Sequence, residues 1–370
     1  MAQADVIAQI QACINNILDR TQVGKKQIAG VIGDAPSHYS KSPALWNAAF
    51  RALGVEAIYL PFDVDESQLA GLADVLRQSD RVMGVSVTVP HKVKMLEYLD
   101  ELDEKAKHIK AVNTIVRAQD GRLIGYNTDG KGFLDSLFTL RPGQERPLLE
   151  SLRGMDVLMI GAGGAARSLA FYLGEILENG NLLICNRTLG TARLLAEEVQ
   201  RVFGNGGALQ EKDLETWAPK ARLIINCSIK GQGGIRKTQD GLTTFEPYSA
   251  LAAANPAAIA DPDLSTPEFY RAYLKASLPD IEANNRASWE LALTIPLSTR
   301  FCDLIYSPEE TVFLRHGRFS GHRTLNGRGM LVNQAADAFF HKVCRAYIEK
   351  LGIYNPDTYN LVVRAMHDAW

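Results

Sequence analysis

Two sets of residues have types and spacings that could do chemistry. The first is a turn, Gly161, Ala162, Gly163, Gly164 and Ala165, between the apolar run Val157–Ile160 and a helix-like run. Gly161 permits a tight turn, Gly163 lets backbone approach a pyrophosphate, and Ala166 lets helix and strand pack closely. An anionic phosphate then sits on the free N–H groups of a helix N-terminus. The next apolar run, Leu182–Cys185, ends in Asn186-Arg187-Thr188. Many dinucleotide sites carry an acid near that point, to hold the ribose diol. A carboxylate there would repel a 2′-phosphate, and Asn186 removes the repulsion. Arg187 offers a planar fork to phosphate oxygens, and Thr188 adds a hydroxyl. The pattern predicts NADP(H) rather than NAD(H).

The second set is scattered. Ser40 and Ser42 precede a helix, Thr88 and Lys92 lie at a strand end, and Asn113 and Asp129 flank a hairpin. Singly these read as cap serines, a surface lysine and turn residues. Together they supply hydroxyls, an amide, an ammonium and a carboxylate, which suits a small polyhydroxylated anion. With the hydride carried by a nicotinamide, the protein must manage one proton. A lysine side chain can donate a proton to a ketone oxygen as hydride arrives, or accept one from the alcohol as hydride leaves.

The elements that must position these groups alternate. Gln27–Asp34, "EAIYLPFDV" and "VMGVSVTVP" read as strands. "SPALWNAAFRALG" reads as a helix with Pro43 in its first turn and Gly54 as its stop. "ESQLAGLADVLRQS" and "HKVKMLEYLDELDEKAKHI" read as further helices, and "AVNTIVRAQDGRLIGYNTD" as a hairpin turning at Asp120-Gly121. The proline-broken stretch "LRPGQERPLLESLRG" lies near a boundary. Residues 155–188 form one βαβ unit, and "ARLIINCS" adds a strand to the same sheet. The result is an α/β fold with crossover connections. Residues 230–300 are rich in Ala, Pro and Asn, with two predicted helices and no strand partners. Val6, Ile7, Ile10, Ile14, Ile17 and Leu18 recur at helical spacing. That stripe is expected to pack on its own domain; a second copy, in a homodimer, is the other surface that could cover it.

A chain of 370 residues, 46% apolar and 22% charged, has room for two domains with substantial cores. A net charge of −2 favours neither nucleic acid nor an anionic membrane, and no long apolar run or secretory pattern is present. The scattered, odd-numbered Cys13, Cys185, Cys227, Cys302 and Cys344 suggest thiols in a reducing cytoplasm, with no metal spacing and no disulfide framework.

Nine short motifs, in order, resemble the shikimate dehydrogenase family: "SKSP", "VTVPHK", "AVNT", "NTDG", "GAGGAARS", "NRT", "IINCS", "DLIY" and "GRGMLVNQAADAF". The resemblance implies a two-domain enzyme that interconverts shikimate and 3-dehydroshikimate with NADP(H), its active site in a cleft between domains. The substrate domain would be residues 1–128 plus 331–370, and the Rossmann-type domain 129–330 with an insertion at about 230–300. Lys92 and Asp129 would be the catalytic pair. Ser40 and Ser42 would hold the substrate carboxylate, Thr88, Asn113 and Gln334 the ring hydroxyls or their neighbours, with Tyr306 close by. Cys227, Ser228 and Gly329 would join the glycine turn and Asn186-Arg187-Thr188 around the cofactor.

Departures from the family are Tyr39 for histidine, Ser86 for asparagine, Lys110 for glycine, and Thr191 where a second basic residue is common. The segment between "IINCS" and "DLIY" is also much longer, and could serve as packing element, lid or subunit contact. Quinate or aminoshikimate is the alternative substrate on this scaffold, and serine rather than threonine at 42 tilts toward shikimate. A ligand-sensing regulator is the alternative of another class; the presence of both Lys92 and Asp129 argues against it.

Overall fold

The computed structural model describes residues 5–140 and 145–370; residues 141–144 of the proline-broken stretch lie outside them. Two compact units form, one from the chain up to Phe133 together with Met330–Trp370, the other from Leu134–Gly329.

The first unit is built on a six-stranded mixed sheet. Its strands are β1 (Gln27–Gly33), β2 (Ala57–Asp63), β3 (Val82–Val87), β4 (Glu101–Leu102), β5 (Thr114–Arg117) and β6 (Leu123–Tyr126), in the order β2-β1-β3-β5-β6-β4. The β1 strand pairs parallel with β2 and β3, while β5 runs antiparallel to β3 and β6. Both faces are covered, so β1 reads as a near-continuous apolar run. Ile28 and Ile32 pack toward Leu69, Leu72 and Leu76, while Ala29 and Val31 pack toward Trp46, Phe50, Phe339 and Met366. Helix Ser42–Leu53 ends at Gly54, which takes the left-handed conformation expected of a stop.

Two expectations in this unit are corrected. The N-terminal helix covers only Val6–Gln11. Beyond it the chain docks on the free edge of β2: Asn15 N donates to Asp63 O at 2.7 Å, and Asn16 brackets Pro61 O and Asp63 N at 3.0 and 2.8 Å. Ile14 and Leu18 still enter the unit's own core, while Ile17 is 91% exposed. The predicted helix over 91–109 is broken into a 3₁₀ turn, Lys94–Tyr98, the short β4, and a helix, Glu104–Ile109. Sheet-edge pairing overrides helix propensity here. Asp100 N donates to Leu123 O, Leu123 N to the Asp100 carboxylate, and Asp103 N to Gly125 O. Lys110 then closes the helix at φ 55°, ψ 40°, a region that favours glycine.

The second unit carries a fully parallel sheet. Its strands are β7 (Val157–Ile160), β8 (Leu182–Cys185), β9 (Gly206–Leu209), β10 (Leu223–Asn226), β13 (Arg300–Asp303) and β14 (Thr324–Leu325). Between β10 and β13 lies a small hairpin, β11 (Arg236–Thr238) with β12 (Gly241–Thr243). The order β14-β13-β10-β7-β8-β9 is doubly wound, and its direction reverses between β7 and β10. Ligands in such sheets bind beyond the carboxyl ends of the strands at that reversal.

The two helices expected in the inserted segment are one, Thr266–Thr294, continuous through Pro279. Proline removes a helical N–H and crowds the preceding turn, but the buried stripe Phe269, Tyr273, Ser277, Asn284, Ser288 and Leu291 runs along the whole length. Its polar members also template the strandless segment beside it. Asn284 binds Ser249 N and the carbonyls of Ser249, Ala252 and Ala253, and Ser277 Oγ accepts from Ala257 N. That explains an Ala- and Asn-rich stretch lacking strand periodicity. Among the described residues no helix is long and apolar enough to cross a membrane, and no His/Cys/Asp/Glu group could hold a metal. None of the five cysteines is joined in a disulfide.

Candidate active site

In the first unit, Lys92 and Asp129 meet. Lys92 Nζ lies 2.6 Å from Asp129 Oδ2, with side chains 20% and 8% exposed. Three short segments bring them together. His91 anchors the first, its Nε2 lying 2.8 Å from Val64 O. Val112 N donates to Lys92 O, which sets the second segment beside the first. The third is fixed by Asn127, whose Oδ1 accepts from Asp129 N at 3.2 Å.

Asn113 is the hub. Its Nδ2 donates to Asp129 Oδ1 at 2.8 Å, Thr128 Oγ1 at 3.0 Å and Gln334 Oε1 at 3.1 Å. Its Oδ1 accepts from Thr128 N at 2.9 Å. Thr128 Oγ1 in turn donates to Gln334 O at 3.1 Å. A buried amide whose donors and acceptor are all engaged has a fixed orientation, and it fixes the carboxylate it binds.

Gln334 comes from helix Arg328–Asp337, which passes so close to Gly132 that a Cβ there would lie 2.5 Å from Gln334 Cβ and N. Gly132, the second glycine of "NTDGKG", is thus required by this close approach. Ser42 is buried and Ser40 half-buried, with Ser42 N donating to Ser40 Oγ at 3.2 Å. Tyr59 presents a buried hydroxyl to Ser42 and Ser86 without a hydrogen bond of good geometry, and burial pushes this phenol's pKa up. Thr88 continues the sheet beyond β3, its N–H donating to Ile32 O.

In the second unit, Gly161, Asn186 and Cys227 follow strands that end in register, Ile160 facing both Cys185 and Asn226. A pocket of about 260 Å³ opens there, lined by Gly161, Ala162, Gly163, Asn186, Arg187, Thr188, Cys227 and Ser228 among others. Gly161 sits at φ +116°, and a Cβ would fall 2.7 Å from Cys227 C. Gly163 and Gly164 have no atom within 4 Å of such a Cβ, which leaves room at the N-terminus of helix Gly164–Leu177 for an anion. Arg187 is exposed and makes no ion pair among the described residues. The amide of Asn186 donates to Thr188 O at 3.1 Å.

Gly164 and Ala165 begin the helix without lining the pocket, and Gly329 is buried in the first turn of helix Arg328–Asp337. Tyr306 follows β13 in this unit, and burial raises its phenol's pKa.

Comparison with known proteins decides the family. Residues 31–115 match the shikimate dehydrogenase substrate binding domain. The shikimate dehydrogenase (NADP(+)) of Lysinibacillus sphaericus is 33% identical over 342 residues, 92% of this chain and 97% of that one. The chain belongs to the shikimate dehydrogenase family. The Bacillus subtilis shikimate dehydrogenase (NADP(+)) is 34% identical over 85% of this chain and 90% of its own length. The crystal structure of the Thermus thermophilus shikimate 5-dehydrogenase, in complex with NADP(H) and shikimate, is 26% identical with a TM-score of 0.61. That likeness covers 93% of this chain and 99% of the other.

Within this shikimate dehydrogenase family member, Ser40, Ser42, Thr88, Lys92 and Asn113 fall inside the matched substrate domain. Sequence reasoning missed Thr128, although it lies in the quoted "NTDG". It also missed Glu211, Ile229, Lys230, Phe245 and Ala254, which complete the second unit's pocket. Only Ile229 and Lys230 had a signal, directly after "IINCS"; the others are brought in by tertiary packing.

Proposed function

We propose that this chain interconverts shikimate and 3-dehydroshikimate with NADP(H), using Lys92 and Asp129 to manage the proton. The observation that carries the reading is the Lys92–Asp129 pair at 2.6 Å, oriented by Asn113, in a member of this family. The pocket around Gly161 and Asn186-Arg187-Thr188 fits the dinucleotide: a helix N-terminus with open space at Gly163 and Gly164, and a free guanidinium where a 2′-phosphate would lie. When bound, NADP(H) supplies the hydride chemistry.

The chain's own residues do the rest. Ser40 and Ser42 take the substrate carboxylate, Thr88 and Gln334 take ring hydroxyls, and Asn113 orients the groups beside them. Lys92 Nζ exchanges a proton with the oxygen at the reacting carbon. Asp129, held at Oδ1 by Asn113, keeps Lys92 and that hydroxyl in line.

The test is a matrix of turnover assays. Purified protein is mixed with shikimate or quinate and with NADP⁺ or NAD⁺, and the reduced-nicotinamide absorbance is followed. The highest kcat/KM is expected for shikimate with NADP⁺. Turnover confined to quinate, or binding without turnover for every pair, would overturn the proposal.

A further inference from the structure

The acid missing after β8 is replaced by one on the neighbouring strand. Glu211 follows β9, which pairs parallel with β8 so that Cys185 faces Leu209. Adjacent strands lie about 4.8 Å apart, so the turn after Leu209 runs beside Asn186-Arg187-Thr188. Glu211 lines the same pocket and is the one acid among its lining residues, with Arg187 and Lys230 the two cations. A bare carboxylate there would accept hydrogen bonds from a ribose diol and repel a 2′-phosphate, which favours NAD(H).

Glu211 is not bare. Lys230 Nζ lies 2.6 Å from its Oε1, with side chains 8% and 15% exposed. A pair so little exposed is weakly screened by salt. The lysine is delivered by a built turn: Asn226 Nδ2 donates to Lys230 O at 2.9 Å, and Lys230 N to Ser228 Oγ at 3.2 Å. Its ammonium is further fixed by Ala252 O at 2.5 Å, a carbonyl that also accepts from Asn284 of the long helix. Phe245 and Ala254 of the same inserted segment wall the pocket. We propose that Lys230, held by the inserted segment, sets NADP(H) preference by neutralising Glu211, taking over the role of the second cation absent at Thr191.

The inference rests on the pocket being the NADP(H) site, and binding measurements separate the two. Isothermal titration of NADP⁺ and NAD⁺ is carried out on wild type, Lys230→Met, Glu211→Gln and the double variant. Lys230→Met is expected to weaken NADP⁺ relative to NAD⁺ by about tenfold, the size of one partly screened charge interaction. Glu211→Gln should shift the ratio the other way, and the double variant should return it to within about threefold of wild type.

A pair that only props up the fold would weaken both nucleotides by the same factor in both single variants, and that result would overturn the proposal. If Lys230→Met fails to fold, Glu211→Gln alone still decides: it should raise NADP⁺ affinity relative to NAD⁺, and an unchanged ratio would overturn the proposal. Wild type that binds neither nucleotide would instead overturn the reading of the pocket itself.

Discussion

Replacing Gly132 by alanine tests whether the proposed catalytic pair, Lys92 and Asp129, depends on helix Arg328–Asp337. The new Cβ would sit 2.5 Å from both Cβ and N of Gln334 and 2.8 Å from its Cα. Carbon atoms in contact prefer about 3.5–4.0 Å, so helix and glycine must separate by roughly 1 Å. The contacts at stake are short: Asn113 Nδ2 to Gln334 Oε1 at 3.1 Å and Thr128 Oγ1 to Gln334 O at 3.1 Å. A shift of that size breaks both and lets Asn113 turn away from Asp129. Overpacking of this kind costs about 1–3 kcal/mol, which at about 2–4 °C per kcal/mol lowers Tm by several degrees. Misplacement by about 1 Å costs on the order of a hundredfold in rate. Steady-state kinetics with shikimate should therefore show kcat/KM down by about 10- to 100-fold. NADP⁺ affinity should not change, because the pocket proposed for it is lined by residues of the second unit alone. Wild-type kcat/KM in a folded Gly132→Ala protein would refute the dependence.

Three further outcomes follow from the same geometry. Arg187→Ala should weaken NADP⁺ by about 10- to 100-fold and leave NAD⁺ unchanged, read as Kd, because a guanidinium–phosphate contact is worth about 1.5–3 kcal/mol. Burial pushes the Asp303 carboxyl up to about 7, despite hydrogen bonds from Thr311, Ile305 N and Asn226. The folded state then holds this proton more tightly than the unfolded one, so between about pH 4 and pH 7 the group's contribution to stability falls as pH rises, and is constant above. Chemical denaturation across that window should show a flatter profile for Asp303→Asn than for wild type, whatever the variant's absolute stability. Lys110→Gly should raise stability by about 0.5 kcal/mol, because relief of roughly 1–2 kcal/mol at φ 55° exceeds the added unfolded-state entropy.

Much of this architecture was legible because local chemistry and global fold agree. Gln27–Gly33 is apolar on both faces, Gly54 sits at a left-handed stop, and Asp120-Gly121 closes a hairpin. The misread elements are those where a partner distant in sequence overrides local preference. Residues 91–109 have helical composition, yet Asp100 and Asp103 find backbone partners on β6. Pro279 marks a helix boundary by local rules, but a stripe of buried contacts carries the helix through it. The site divides in the same way. Lys92, Asp129 and Asn113 stood out by type and motif. The Glu211–Lys230 pair did not, because Glu211 is one more exposed-looking acid until β9 is seen beside β8.

The central claim is that Lys92 and Asp129 carry the proton while the second unit holds NADP(H). Its most direct test is Lys92→Ala, measured at saturating shikimate and NADP⁺ beside a direct titration of NADP⁺. Turnover should fall by at least about a hundredfold, the size of lost acid–base catalysis, with NADP⁺ affinity within about twofold of wild type. Near-normal turnover in that variant would contradict the account.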